Sequence, residues 1–397
     1  AIMNDRTPQS ERLHIAFFGR CNSGKSTLIN ALTGQQISVV SDLPGTTTDP
    51  VSKAIELRGL GACVLTDTPG FDDAQEELGA RRIATARRTL DRTDIAVLLL
   101  DEAPHAATEA WLGHLRERNI PVVGVLSRAD LLSDPEAAAA RIGKRCGLRP
   151  VAVSATQGSG LAELREALVR ALPDDTPREI TAGLAAAGDT VLLVMPQDAE
   201  APKGRLIQPQ VQTIRELLDK GCTALCCTPE GMEGALAALA APPSLIITDS
   251  QAFARAAALR PEGTPLTSFS ILFARYKGDI DRFAAGARAI DRLTQQSRVL
   301  IAEACTHAPL GEDIGRVKLP AMLRRRIGEG LRIDIMSGAD FPDDLTPYDL
   351  VIHCGACMFN RRHVMTRVAR ACAQQVPMTN YGVAIAYLQG ILDKVVY

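Results

Sequence analysis

From Leu13 to about Leu172, short apolar runs alternate with segments whose apolar residues recur every three or four positions. The runs LHIAFFG, ACVLTDTPG, DIAVLLLDEA, PVVGVLSRAD and PVAVSAT read as strands, and KSTLINALTG, IATARRTL, WLGHLRER and LAELREALVRAL read as helices. Such alternation builds a mostly parallel sheet covered by helices. The segment PDDTPRE at 173–179, rich in Pro and charge, reads as a linker. A smaller α/β unit follows, with TVLLVMP, VQTIRELLDKG, TALCCTP, a helix near 231–240 and SLIITDS. A third set begins near Pro265 with SFSILFARYKG. It continues through helix DIDRFAAGARAIDRL, strand RVLIAEA, helix MLRRRIGEG, strands LRIDIMS and DLVIHC, and helix RRHVMTRVARACAQQ. The pattern predicts an α/β protein of three domains, at 1–173, 180–264 and 265–397.

The 397 residues amount to about two and a half domains of roughly 150 residues. With 46% hydrophobic residues and 44 Lys and Arg against 46 Asp and Glu, the chain is an ordinary globular protein rather than a disordered one. Residues 181–397 hold 23 basic against 22 acidic residues, so no basic face speaks for nucleic acid. The polar start AIMNDRTPQSER predicts no signal peptide, no apolar run reaches membrane-span length, and the expected compartment is the cytoplasm. In that compartment the ten cysteines stay reduced, so clusters among them read as metal ligands or reactive thiols.

The segment Gly19-Arg20-Cys21-Asn22-Ser23-Gly24-Lys25-Ser26 fits G-x-x-x-x-G-K-S and lies between a strand and a helix, the context this motif requires. Its glycines let the backbone wrap a phosphate, with successive N–H groups and the helix N-terminus aimed at it. Lys25 then reaches the β- and γ-phosphates and the Ser26 hydroxyl ligates Mg²⁺, with Ser23 and Thr27 completing the phosphate-binding run. Asp67-Thr68-Pro69-Gly70 ends an apolar strand, which puts Asp67 near the Mg²⁺ and the Gly70 N–H in reach of a γ-phosphate. Between them lies the polar turn Pro44-Gly45-Thr46-Thr47-Thr48-Asp49, a candidate switch.

In these segments the chain resembles the GTPases of the Era, EngA and TrmE kind. The resemblance implies that Thr47 ligates Mg²⁺ and that Asp130 reads guanine, although Ser127-Arg128-Ala129-Asp130 stands where the family has Asn-Lys-x-Asp. Ser154-Ala155-Thr156 resembles the loop that packs on the base. Phe71 occupies the place of the glutamine that orients water in Ras-like proteins, and a phenyl ring cannot do that. The resemblance therefore implies that Asn22 helps hold a potassium ion, which makes Lys25, Asn22, Thr47 and Gly70 the catalytic candidates.

Cys305-Thr306-His307 follows the apolar run VLIAEA, and His353-Cys354-Gly355-Ala356-Cys357 follows DLVI. Both sets lie at the ends of predicted strands, the edge of an α/β sheet where sites form. Cys305, His307, His353, Cys354 and Cys357 are thus candidate metal ligands. Zinc would accept four of these groups, and three cysteines equally suit a four-iron cluster with a non-cysteine or exchangeable fourth ligand. Cys63, Cys146, Cys222, Cys226, Cys227 and Cys372 read as core residues, and His363 as a solvated helix residue.

This order, a potassium-type GTPase domain, a small α/β unit, then C-x-H and a distant H-C-x-x-C, resembles the HydF family of iron-iron hydrogenase maturation GTPases along the whole chain. The resemblance implies a homodimer formed through the middle unit. It also implies a 4Fe-4S cluster on Cys305, Cys354 and Cys357, with His307 or His353 at or near the fourth site. The implied work is that of a scaffold or carrier: it takes a di-iron precursor from radical-SAM maturases and passes it to apo-hydrogenase. The competing expectation is a zinc-containing GTPase of tRNA modification or ribosome assembly.

Overall fold

The computed structural model describes residues 11–34, 51–57, 59–70, 77–102, 105–172, 179–196, 206–303, 314–338, 341–355 and 359–397. The chain divides into two compact units, Ala1–Thr176 and Pro177–Tyr397.

The first unit carries strands β1 (Leu13–Phe18), β2 (Val51–Leu57), β3 (Gly61–Asp67), β4 (Ile95–Leu100), β5 (Val122–Ser127) and β6 (Val151–Val153). Its helices are α1 (Lys25–Gly34), α2 (Glu77–Leu90), α3 (Ala106–Glu117), α4 (Pro135–Cys146) and α5 (Leu161–Arg170). The sheet runs β2-β3-β1-β4-β5-β6, parallel throughout except where β2 meets β3. Strands covered on both faces are apolar at every position, and β4, IAVLLL, is buried from end to end. Alternation along β1 sends Ile15 and Phe17 into the core under α1 and α5, and Ala16 and Phe18 into the core under α3 and α4, where Phe18 stacks on Trp111. Helix α4, which the periodicity reading passes over, starts at an Asp134 cap that accepts from Ala137 N and stops at Gly147, φ +63°.

The second unit holds two four-stranded parallel sheets. One is built from β7 (Thr190–Val194), β8 (Thr223–Cys227), β9 (Leu245–Thr248) and β10 (Leu266–Ser268) in the order β10-β9-β7-β8, with α6 (Gln208–Asp219), α7 (Met232–Ala237), α8 (Phe253–Leu259) and α9 (Phe269–Lys277). The other is built from β11 (Arg298–Glu303), β12 (Arg332–Ser337), β13 (Leu350–His353) and β14 (Met378–Asn380) in the order β12-β11-β13-β14, with α10 (Ile280–Arg288), α11 (Leu319–Ile327), α12 (Arg361–Ala373) and α13 (Tyr381–Leu388). Leu192, Val194 and Ile246 share one apolar core with Leu300, Val351, Phe283 and Val368, which binds the two sheets together. Strand β10 lies just past residue 264 and pairs with β9, and SFSILFARYKG supplies the end of that strand and helix α9.

Two readings of side chains change. Cys63, Cys146 and Cys222 are buried as expected, but Cys226 and Cys372 are exposed and Cys227 is half-buried. Strand β8 is a sheet edge, which leaves its positions less covered than those of β7 or β9, and Cys372 lies at the end of α12 with Arg282 Nη1 2.7 Å from its Sγ. His363 is buried instead of solvated, its ring 3.9 Å from that of Phe359 between centroids.

Candidate functional site

In the first unit the turn between β1 and α1 brings the phosphate-binding run to the C-terminal edge of the sheet. Asn22 and Gly24 both take left-handed backbone angles, φ +57° and +94°. Lys25 is buried, and its Nζ donates to the carbonyls of Gly19 at 3.0 Å and Arg20 at 2.7 Å, which holds the ammonium against the loop. The Ser26 hydroxyl donates to the Asp67 carboxylate, so the two residues expected to share an Mg²⁺ ion are in contact. Thr68 is tied to Phe17 O through its hydroxyl at 2.6 Å, which fixes the end of β3 beside β1. Gly70 packs against the loop so closely that a Cβ there would stand 2.6 Å from Cys21 N and 2.8 Å from Cys21 Cα, a place only glycine fills.

The same edge brings in the base-reading segments. A cavity of about 500 Å³ is lined by Asn22 to Leu28, by Ser127, Arg128, Asp130 and Leu131, and by Val153, Ala155 and Thr156. Asp130 is exposed, and Ser154 is buried with its hydroxyl 3.1 Å from that of Thr156. The two departures from Asn-Lys-x-Asp have a visible use. Ser127 Oγ donates to Ser23 O at 2.9 Å, and Arg128, itself left-handed at φ +56°, donates to Asn22 O. Both replacements tie the base-side segment to the phosphate loop. Thr47 and Phe71 lie outside the described residues.

In the second unit β11 and β13 are adjacent and parallel, with Ala302 opposite His353. Glu303 ends β11 two residues before Cys305, and Cys354 follows β13 directly, its N–H donating to Ala302 O at 2.9 Å. Cys354 is half-buried, while Cys305, His307 and Cys357 lie outside the described residues. Among the described residues no three His, Cys, Asp or Glu side chains stand close enough to share a metal.

His353 is only 1% exposed, and both ring nitrogens are engaged. Nδ1 lies 2.7 Å from Cys354 O and donates to it, and Nε2 accepts from Arg367 Nη1 at 2.9 Å. Burial, with the Arg367 charge second, pushes its pKa down to about 3, so the ring is neutral. Arg367 is itself buried, donates also to Gly338 O at 3.0 Å, and lies over the rings of Phe341 and Phe359. It thereby clamps the ends of β12 and β13. On the other side Glu303 is held by Arg316 at 3.0 Å and by Ser337 Oγ at 2.6 Å. Arg367, Arg316 and Glu303 carried no signal in the sequence beyond their charge.

Comparison with known families decides what this arrangement is. Residues 180–278 match the hydrogen maturase F dimerization domain, and residues 281–397 match the hydrogen maturase F tetramerization domain. Together they cover more than half of the chain, and residues 14–128 match the 50S ribosome-binding GTPase family. The chain belongs to the hydrogen maturase F family.

The hydrogen maturase F chain therefore has a GTPase domain as its N-terminal unit, and its two remaining domains are named for self-association. Among curated proteins it is 36% identical over 162 residues to the tRNA modification GTPase MnmE of Paraburkholderia xenovorans, covering 40% of this chain and 34% of that one. It is 36% identical over 173 residues to GTPase Der of Solidesulfovibrio magneticus, covering 43% and 38%. The chain spans roughly a third of the length of these relatives. Among solved structures it is similar to Aquifex aeolicus Era, with 20% identity, a TM-score of 0.35, and 54% of this chain and 92% of that chain covered. The G domain of the T. maritima FeoB iron transporter gives 25% identity and a TM-score of 0.33, with 41% and 99% covered.

Proposed function

We propose that this chain is a GTP-hydrolysing scaffold that holds a four-iron cluster and carries a di-iron precursor from radical-SAM maturases to apo iron-iron hydrogenase. The observation that carries the reading is the joining of a GTPase domain to both hydrogen maturase F domains, with Cys354 at the strand end beside the one that Cys305 follows. Lys25 and the loop amides bind the phosphates, Ser26 and Asp67 bind Mg²⁺ together with Thr47, and Asp130 accepts from guanine. Asn22 contributes to a potassium site, the role that its place in the phosphate loop and the family resemblance imply.

Cys305, Cys354 and Cys357 would hold the cluster. The donor set suits it: three cysteines, in segments that follow two neighbouring strands in the sequence. When bound, the cluster supplies an iron site with an exchangeable position. Of the two histidines, His307 is the one we assign near that position, because both nitrogens of His353 are used in holding Cys354 O and Arg367. The middle unit, extended through β10 and α9, serves dimer formation.

Nucleotide hydrolysis acts as a switch on partner affinity, through release of Thr47 and Gly70 from the γ-phosphate. The test is the affinity for each maturase and for apo-hydrogenase with GTP analogue and with GDP, in potassium and in sodium. Nucleotide-dependent affinity for at least one partner agrees with the switch, and equal affinities throughout would sink it.

A further inference from the structure

Within the second unit a cavity of about 230 Å³ lies where the C-terminal edges of both sheets meet. Asp249 follows β9, Phe269 and Ser270 follow β10, Gly355 follows β13 and Asn380 ends β14, and all of them line it. In parallel sheets this edge is where ligands bind. The volume is just under the roughly 300–1,000 Å³ of drug-sized sites, which suits a small molecule.

The lining has two chemical halves. One is cationic in character: Lys277, only 4% exposed, lines the cavity. Three helices of eight or more residues begin there, with Pro209 from the first turn of α6, Ser270 from that of α9 and Gly382 from that of α13. The Ser268 and Asn380 caps take the N–H groups of Ile271 and Val383, and the first amides of each helix point out of its N-terminal end. The starts of α9 and α13 are pressed together, since a Cβ on Gly382 would stand 2.7 Å from Ser270 Oγ. The other half accepts hydrogen bonds. Gln212 Oε1 is buried with no donor among the described residues, and Asp249, whose carboxylate accepts from Gln210 Nε2 at 2.9 Å, lines the cavity with it. A buried acceptor without a donor costs about 1–3 kcal/mol, a reason to look for the donor on a ligand.

We propose that this cavity binds a small organic acid that carries both a carboxylate and an N–H or O–H donor, that is, an amino acid or a hydroxy acid. The carboxylate meets Lys277 and the starts of α9 and α13, and the donor meets Gln212 and Asp249. The apolar walls of Phe269 and Phe273 cover the rest of the molecule. This site goes beyond the cluster reading but borders it: Gly355, on the cavity wall, lies between Cys354 and Cys357 in the sequence, and Lys277 Nζ donates to Phe359 O at 3.4 Å just past them.

The test is isothermal titration of the full-length protein with each of the twenty amino acids, glycolate, lactate, acetate, ethylamine and inorganic phosphate. The expected result is binding of an amino or hydroxy acid with a dissociation constant below about 1 mM, at least about tenfold tighter than acetate or ethylamine. Gln212→Leu and Lys277→Met should each weaken it by about tenfold, the loss of one charge-assisted bond. Should Lys277→Met fail to fold, Gln212→Leu, at a half-buried position, carries the test. No binding by either class of acid, equal binding of acetate, binding of phosphate alone, or an affinity indifferent to Gln212→Leu would each overturn the proposal.

Discussion

At the scale of single residues the nucleotide site rests on charge placed against backbone. Lys25 is the buried cation of the phosphate loop, and Lys25→Ala should weaken nucleotide binding roughly 10- to 150-fold, measured with a fluorescent GDP analogue. Arg128 reaches the loop through Asn22 O, so Arg128→Ala should cost less, about three- to tenfold in the same titration. If the two variants lost affinity equally, Arg128 would be a direct ligand. The cysteines give a pH prediction. Burial drives the Cys63 thiol up to about 12, and an alkylating reagent needs the thiolate. In native protein at pH 8, mass spectrometry should find Cys226 and Cys372 alkylated and Cys63 untouched. The unfolded chain ionises Cys63 from about pH 9 while the folded chain keeps its proton, so this residue lowers stability as pH rises from about 9 towards 12.

At the scale of elements the strand ends of the C-terminal sheet are fastened from helix α12. Arg367→Met would leave Gly338 O and His353 Nε2 without their donor in a buried place, each at a cost of about 1–3 kcal/mol. A fall of several degrees in melting temperature is the expected result, and an unchanged one would remove the clamp from the account. This fastening was invisible in the sequence, because His353 and Arg367 meet only once α12 has folded back over β13. By contrast the phosphate loop stood out in the sequence, since its motif is contiguous and lies between a strand and a helix. Strand β2 was missed because its apolar positions are few and it joins as an antiparallel edge strand. Helix α4 was missed because its alanines blur the periodicity, although Asp134-Pro135 and Gly147 mark both of its ends. Short β10 and β14, three residues each, lack the length for any alternation to register.

At the scale of the whole molecule the sequence order is what gave the family away: a GTPase domain first, then a small α/β unit, then a unit that carries both C-x-H and the distant H-C-x-x-C. The sheet topology explains how segments far apart in sequence come to neighbouring strands, since Ala302 lies opposite His353 in the register of β11 and β13. The placement of Cys226 and Cys372 was not legible, because whether a strand or helix end is an edge depends on what packs beside it. The central claim is the proposed one, that Cys305, Cys354 and Cys357 hold a four-iron cluster. The direct test is iron, sulfide and zinc content of protein purified without oxygen, with electron paramagnetic resonance after reduction, against the double variant Cys354→Ala, Cys357→Ala. The account predicts about four irons and four sulfides per chain with a reduced-cluster signal, both lost in the variant. One zinc per chain with no sulfide would contradict it.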